Sequence, residues 1–214
     1  MNFIYCYDAY CGWCYGFSPV IKRIATEYQH QFNFEVLSGG MILNAPPQNI
    51  SSIAKYIQGA YKTVEEHTGI KFGEDYLYHI FHPEESDWVL HSEKPAIALA
   101  IMKEYSSENA VNLASDIQFA LHYEGRDLTD DQAYLSILEK YHFDKNDFLQ
   151  KLNSELYKEK AYYEFQLVKQ LNVQSFPQVL LQVNESKFYL LAKGFTPYET
   201  LNQTIQRVLN EIKL

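Results

Sequence analysis

The chain has 214 residues and a formal charge of −9, and its 18 Lys and Arg residues form no basic run. Phosphate binding depends on clustered cations, so a nucleic-acid surface is excluded. Hydrophobic residues make up 47% of the chain, with 18 Tyr and 13 Phe, so a packed interior is expected without disulfide staples. No apolar run approaches the roughly 18 residues of a membrane span, because Ala96 to Met102 stops at Lys103 and Glu104; no membrane partner is expected.

The chain opens with Phe3-Ile4-Tyr5-Cys6-Tyr7, an aromatic and branched run that reads as a buried strand. Only this short run precedes Asp8, with no basic segment and apolar stretch of a secretory signal, and a cytoplasmic location is expected. Asp8-Ala9-Tyr10 reads as a turn into a helix with Phe17, Val20, Ile21, Ile24 and Tyr28 on one face. Pro19 within it removes the bond to the Tyr15 carbonyl and predicts a kink. Phe32 to Leu37 alternates apolar with polar residues and ends at Ser38-Gly39-Gly40, which makes a second strand, parallel to the first through a right-handed crossover.

From about Ala45 to Asn153 the periodicity is helical and no strand is expected. Pro95 suits a first helical turn before Ala96, Leu99 and Ala100, and Leu113, Ala114, Ile117 and Leu121 form another stripe. Thr129 with Gln132 is a capping-box signal ahead of Tyr134, Leu135 and Leu138. A long helix is predicted over roughly Ser154 to Leu171. After Ser175-Phe176-Pro177, the runs Val179 to Val183 and Phe188 to Ala192 form a hairpin, and a last amphipathic helix carries Leu201, Ile205, Val208 and Ile212. The fold class is therefore α/β, in the order βαβ, α, ββα around a mixed sheet, with a large all-helical insertion. Residues 1–40 and 154–214 supply the two parts of one domain, and residues 41–153 are the insertion.

Three cysteines in a reducing compartment indicate chemistry rather than a disulfide framework. Cys11-Gly12-Trp13-Cys14 falls where the first helix begins, and there unpaired N–H groups and the helix dipole favour a thiolate at Cys11. Cys14 lies one turn along, close enough to close a small disulfide ring, so Cys11 can attack and Cys14 can resolve a mixed disulfide. The same spacing is half of a zinc site, but a closed site needs two further ligands. Cys6 lies in the first strand, and His79 and His82 sit among Tyr76, Leu77, Ile80 and Phe81 like ordinary helix residues; neither metal nor another cofactor is expected.

Phe176-Pro177 stands directly before a strand. Local statistics favour a trans bond there, whereas a cis bond would expose the Phe176 backbone beside the sulfurs. Asp8 reads as a turn former or a proton-transfer group, Cys6 as a core thiol or a regulatory third cysteine, and Trp13, taken as exposed, as a substrate contact or a lid on the helix end. Tyr56, Tyr61, Tyr76, Tyr78 and Trp88 read as core, and Glu84-Glu85 and Asp130-Asp131 as solvated helix starts.

Taken in order, Tyr7-Asp8-Ala9-Tyr10-Cys11-Gly12-Trp13-Cys14-Tyr15-Gly16-Phe17, Ser38-Gly39-Gly40, Tyr123-Glu124-Gly125-Arg126-Asp127-Leu128-Thr129, Phe176-Pro177 and Gly194 resemble the DsbA-like thioredoxin-fold oxidoreductases. The similarity is to the cytoplasmic FrnE-like branch, often labelled protein-disulfide isomerases, and spans nearly the whole chain. It implies a thioredoxin-like fold, Pro177 as the family's cis-proline, residues 41–153 as a helical insertion over the active site, and a Phe176 backbone offered to an extended substrate. Gly12 departs from the proline or serine often found after the first cysteine. The expected site is catalytic Cys11 and Cys14, substrate-binding Trp13, Phe176 and Pro177, and supporting Asp8 and Gly12. It would act on a disulfide- or thiol-containing protein or small thiol. Two alternatives stand beside this reading. A kappa-type glutathione transferase or isomerase is opposed by the paired cysteines, since that relative carries serine at the first position. A non-enzymatic adaptor delivering a partner protein would retain its function without Cys11.

Overall fold

A computed structural model describes residues 1–212. Strand β1 (Asn2–Tyr7) is buried along nearly its whole length and runs into helix α1 (Gly12–Glu27). The chain returns through β2 (Asn33–Ser38), paired parallel with β1 so that Asn2 faces Asn33 and Tyr7 faces Ser38. Phe17, Ile21 and Ile24 of α1 are buried with Tyr28 beyond its end, Val20 is half-buried, and the helix is continuous through Pro19, which is exposed. The alternation predicted for β2 gives way at Val36-Leu37-Ser38, all three buried, because helices cover both faces of the sheet there.

The middle of the chain contains β3 (Gln48–Asn49), α2 (Ser51–Thr68), α3 (Glu74–Phe81), β4 (Val89–Leu90), α4 (Glu93–Tyr105), α5 (Ala110–His122), α6 (Leu135–Tyr141) and α7 (Lys145–Leu152). The two short strands correct the expectation of a wholly helical stretch. Gln48 pairs with Leu90 and Asn49 with Val89, antiparallel, and two residues are too few to carry a periodicity. The capping box at Thr129 is also corrected. Asp130 accepts the Gln132 N–H at 2.9 Å ahead of a single 3-10 turn, while Thr129 donates its N–H and hydroxyl to Asp127. Asp131 is not merely solvated either, since it pairs with Lys94 at 2.5 Å. Pro95 lies in the first turn of α4, a helix buried from Pro95 to Met102.

Helix α8 (Glu155–Gln170) leads to β5 (Gln178–Gln182), β6 (Phe188–Lys193) and α9 (Tyr198–Ile212). The sheet order is β2-β1-β5-β6, with β5 antiparallel to both β1 and β6. Leu201, Ile205 and Val208 of α9 are buried as the amphipathic pattern requires. One hydrophobic cluster contains Phe3 and Tyr5 from the sheet together with Leu99, Leu113 and Tyr134 from the helical stretch. Cys6 belongs to a smaller cluster with Ile4, Leu37, Val168 and Leu180, where burial pushes its thiol up to about 12. Among the described residues, no helix is long and apolar enough to cross a membrane.

Candidate active site

Cys11 is the N-cap of α1. Its N–H donates to the Asp8 carbonyl at 3.1 Å and its Sγ accepts the Cys14 N–H at 3.4 Å, so the sulfur itself satisfies one of the orphan donors of the helix start. Cys11 is 7% exposed and Cys14 is 0% exposed. Burial first, and the neighbouring Cys11 sulfur second, push the Cys14 thiol well above the ordinary thiol range. All three cysteines are free thiols in the structure.

The turn carrying Cys11 is held by Asp8, only 2% exposed. Its Oδ1 accepts from the Tyr10 N–H at 3.0 Å and the Ser92 hydroxyl at 3.1 Å, and its Oδ2 accepts from the Met41 N–H at 2.7 Å. Burial raises the Asp8 pKa while these donors oppose the rise. A second support comes from α5, where Gln118 donates to the Asp8 carbonyl at 3.1 Å and accepts from Ser18 at 3.1 Å. Beside it His122 is fully buried, stacked on Tyr15 at 4.9 Å. Its Nδ1 lies 3.0 Å from the Gln118 carbonyl and therefore carries the proton, its Nε2 has no partner among the described residues, and burial lowers its pKa to about 4. Ser92, Gln118 and His122 were not picked out in the sequence, where no local pattern marks them.

The Phe176-Pro177 bond is cis, and the Phe176 carbonyl faces the Cys11 thiol at 3.6 Å. The Phe176 ring rests on Gly39, where a Cβ would fall 2.0 Å from a ring atom; only glycine permits that approach. Gly194, at φ +80°, donates to the Pro177 carbonyl at 2.7 Å. A second cis bond, Ala45-Pro46, was not foreseen. Trp13 is half-buried rather than exposed, with His67 at 6.0 Å and Phe195 at 6.5 Å between ring centroids. At Gly12 a Cβ would already touch the Phe72 ring at 3.4 Å; at Gly16 it would strike Thr68 at 2.6 Å, which marks the close approach of α1 and α2.

A cavity of about 430 Å³ opens at Cys11, between Trp13 and Phe176 on one side and Ile53, Ile57 and Tyr61 of α2 on the other. This corrects the assignment of the helical aromatics to the core. Tyr76 and Trp88 are buried, but Tyr61 lines the cavity, Tyr56 stands at it 72% exposed, and Tyr78 is exposed. His79 takes no part in the site, since it bonds Ser86 at 2.8 Å and stacks on Trp88.

The mixed four-stranded sheet, with a helix-capping cysteine facing a cis-proline loop, is the architecture of a thioredoxin-like thiol-disulfide oxidoreductase. Residues 4–206 match the model of the DSBA-like thioredoxin domain, and the chain belongs to that family. A candidate protein disulfide isomerase from Nitrosomonas europaea superposes on it with a TM-score of 0.84 at 21% identity, over 98% of each chain. The cytosolic disulfide reductase DsbM from Pseudomonas aeruginosa, with GSH, gives a TM-score of 0.75 at 20% identity over 100% of each chain. A 2-hydroxychromene-2-carboxylate isomerase shares the fold with a TM-score of 0.69 at 13% identity, over 100% of this chain and 98% of its own. No curated protein matches the sequence significantly.

Proposed function

We propose that the Cys11 thiolate attacks a substrate disulfide and that Cys14 resolves the resulting mixed disulfide. The observation that carries this reading is the asymmetry of the pair: the Cys11 sulfur sits at the helix N-terminus against the cavity and the Phe176 carbonyl, while Cys14 is sealed behind it. In the first step Cys11 bonds to one substrate sulfur, the substrate S–S bond breaks, and the other sulfur leaves with the electron pair and takes up a proton. Cys14 then gives up its proton, attacks the Cys11 sulfur and expels the second substrate thiolate. The enzyme ends as the Cys11–Cys14 disulfide and the substrate is reduced by two electrons; the reverse sequence oxidises a dithiol.

Burial keeps Cys14 protonated, so the two thiols do not compete for the substrate. Phe176 supports the binding of an extended segment, because its N–H makes no hydrogen bond among the described residues and its carbonyl faces the sulfur. Asp8 shapes the turn, Gly12 leaves the approach open, and Trp13 walls the site. The substrate is a protein or small-thiol disulfide and the protein works in the cytoplasm; the cytosolic reductase among the structural neighbours supports that location and the reductive direction. Residues 1–40 and 154–214 form the catalytic domain and residues 41–153 the inserted one, a division supported by a sheet drawn from both ends of the chain.

Insulin reduction driven by dithiothreitol tests the reading, with turnover expected in the wild type and lost in Cys11→Ser. Cys14→Ala should accumulate a mixed disulfide on Cys11, seen by intact mass and peptide mapping. An adduct confined to Cys6 would overturn the assignment of roles.

A further inference from the structure

Apart from the reacting Cys11 sulfur, none of the residues lining the cavity beside it carries a charged side chain. The walls are Met41, Ile42, Ile53, Ile57, Val64 and aromatic rings, and besides Cys11 and the Phe176 backbone the polar groups come from tyrosines, Trp13 and the Gln174-Ser175 loop, all of them uncharged. Two basic residues of α2, Lys62 and His67, reach the Tyr61 and Trp13 rings at 6.0 Å without lining the cavity. A carboxylate entering this space would lose its water and meet no cation, and the net charge of −9 adds a repelling field. An uncharged apolar group entering it would bury its surface against matching walls. At about 430 Å³ the space falls in the range of small-molecule pockets.

We infer that the site selects disulfides whose reacting sulfur carries an uncharged apolar or aromatic neighbour, and disfavours those that place a carboxylate there, oxidised glutathione included. This deepens the oxidoreductase reading and rests on it. The neighbour can be a side chain flanking a cysteine in a polypeptide or the body of a small aromatic disulfide; the chemistry at the pocket is the same. The bonds exchanged are those already given: Cys11 bonds to the sulfur seated at the pocket, and the distal sulfur leaves as a thiolate that takes up a proton.

Two matched pairs of reagents test this. Neutral 2,2′-dithiodipyridine is compared with its carboxylated analogue 6,6′-dithiodinicotinate, and a cystine peptide with phenylalanine beside each cysteine is compared with one carrying aspartate there. Rates at Cys11 are divided by the rates of the same reagents with dithiothreitol, which removes intrinsic reactivity. The normalised preference for the neutral member is expected to be at least tenfold. A preference in the peptide pair alone assigns the pocket to polypeptide substrates, and one in the dipyridine pair alone assigns it to small disulfides. Ile57→Lys should cut the preference severalfold by placing a cation in the wall, and Tyr56→Lys, on an exposed side chain that cannot disturb the core, should do so in the same direction. A normalised ratio near one in both pairs, or a ratio unmoved by both variants, overturns the selectivity while leaving the oxidoreductase reading intact. Absence of any reaction that depends on Cys11 overturns both.

Discussion

At His122 the charge is decided by what surrounds the ring. The imidazole is enclosed by Tyr15, Phe72 and Tyr76, and burial holds its pKa at about 4, against about 6.5 in the unfolded chain. Between those values the unfolded chain binds a proton that the folded protein refuses. Stability is therefore independent of this group above about pH 6.5, and falls as the pH drops from there toward 4. The loss is on the order of 3 kcal/mol. Asp8 has the opposite sign, because its raised pKa makes the folded state the better proton acceptor as the pH falls. Comparison with His122→Phe isolates the histidine: urea midpoints at pH 7 and pH 4 should differ less in the variant than in the wild type. An equal difference in both proteins would remove His122 as the cause. Residues of this kind are silent in the sequence because their partners are remote; Ser92 is 84 positions from Asp8, and Gln118 is 110.

At the scale of elements, β2 is secured by a partly buried ion pair as well as by its ladder. Lys103 of α4 donates to the Val36 carbonyl at 2.7 Å and pairs with Glu164 of α8, whose other oxygen accepts the Ser38 N–H at 2.9 Å. Two helices are thereby anchored to the strand that ends at Ser38, next to Gly39 beneath Phe176. Lys103→Met leaves the largely buried Glu164 carboxylate without its cation and should cost about 2 kcal/mol, the scale of a charged group left without its partner where solvent still reaches it. Adding Glu164→Gln removes the stranded charge yet keeps an acceptor for Ser38, so the double variant should recover part of that loss in a denaturant titration. A double variant weaker than Lys103→Met would show that the carboxylate contributes apart from the pair. The ends of elements were less legible than their existence. Ahead of α6 the Thr129 and Gln132 pattern is present, but Asp130 is the residue whose carboxylate reaches the free N–H, at the 3-10 turn before that helix.

Across the whole molecule, the sheet and the helical stretch share one hydrophobic cluster, and the cavity at Cys11 is walled by both. Without the helices Tyr5, Tyr7 and Phe17, all buried in that cluster, would lose part of their covering, so one cooperative transition is expected despite the inserted topology. The two tryptophans report the two regions, Trp13 at the cysteine pair and Trp88 beside α3. In Trp88→Phe the Trp13 fluorescence and the far-ultraviolet circular dichroism, dominated by helices, should give coincident urea transitions. Transitions that separate would show that the helical stretch unfolds on its own.

The sequence by itself determined the α/β order, the parallel crossover of β1 and β2, the buried amphipathic faces of α1 and α9, and the cysteine pair at a helix start. Each of these is a local consequence of spacing: period 2 or 3.6 in apolar residues, or two sulfurs one helical turn apart. Tertiary structure alone decided that Cys14 is sealed while Cys11 faces a cavity, that Gly39 makes room for Phe176, and that Tyr56 and Tyr61 of α2 leave the core to meet the site. The difference is physical. Periodicity shows which face of an element must leave water, whereas the partner for that face, and the charge of any group trapped between them, depend on chain segments far apart in the sequence.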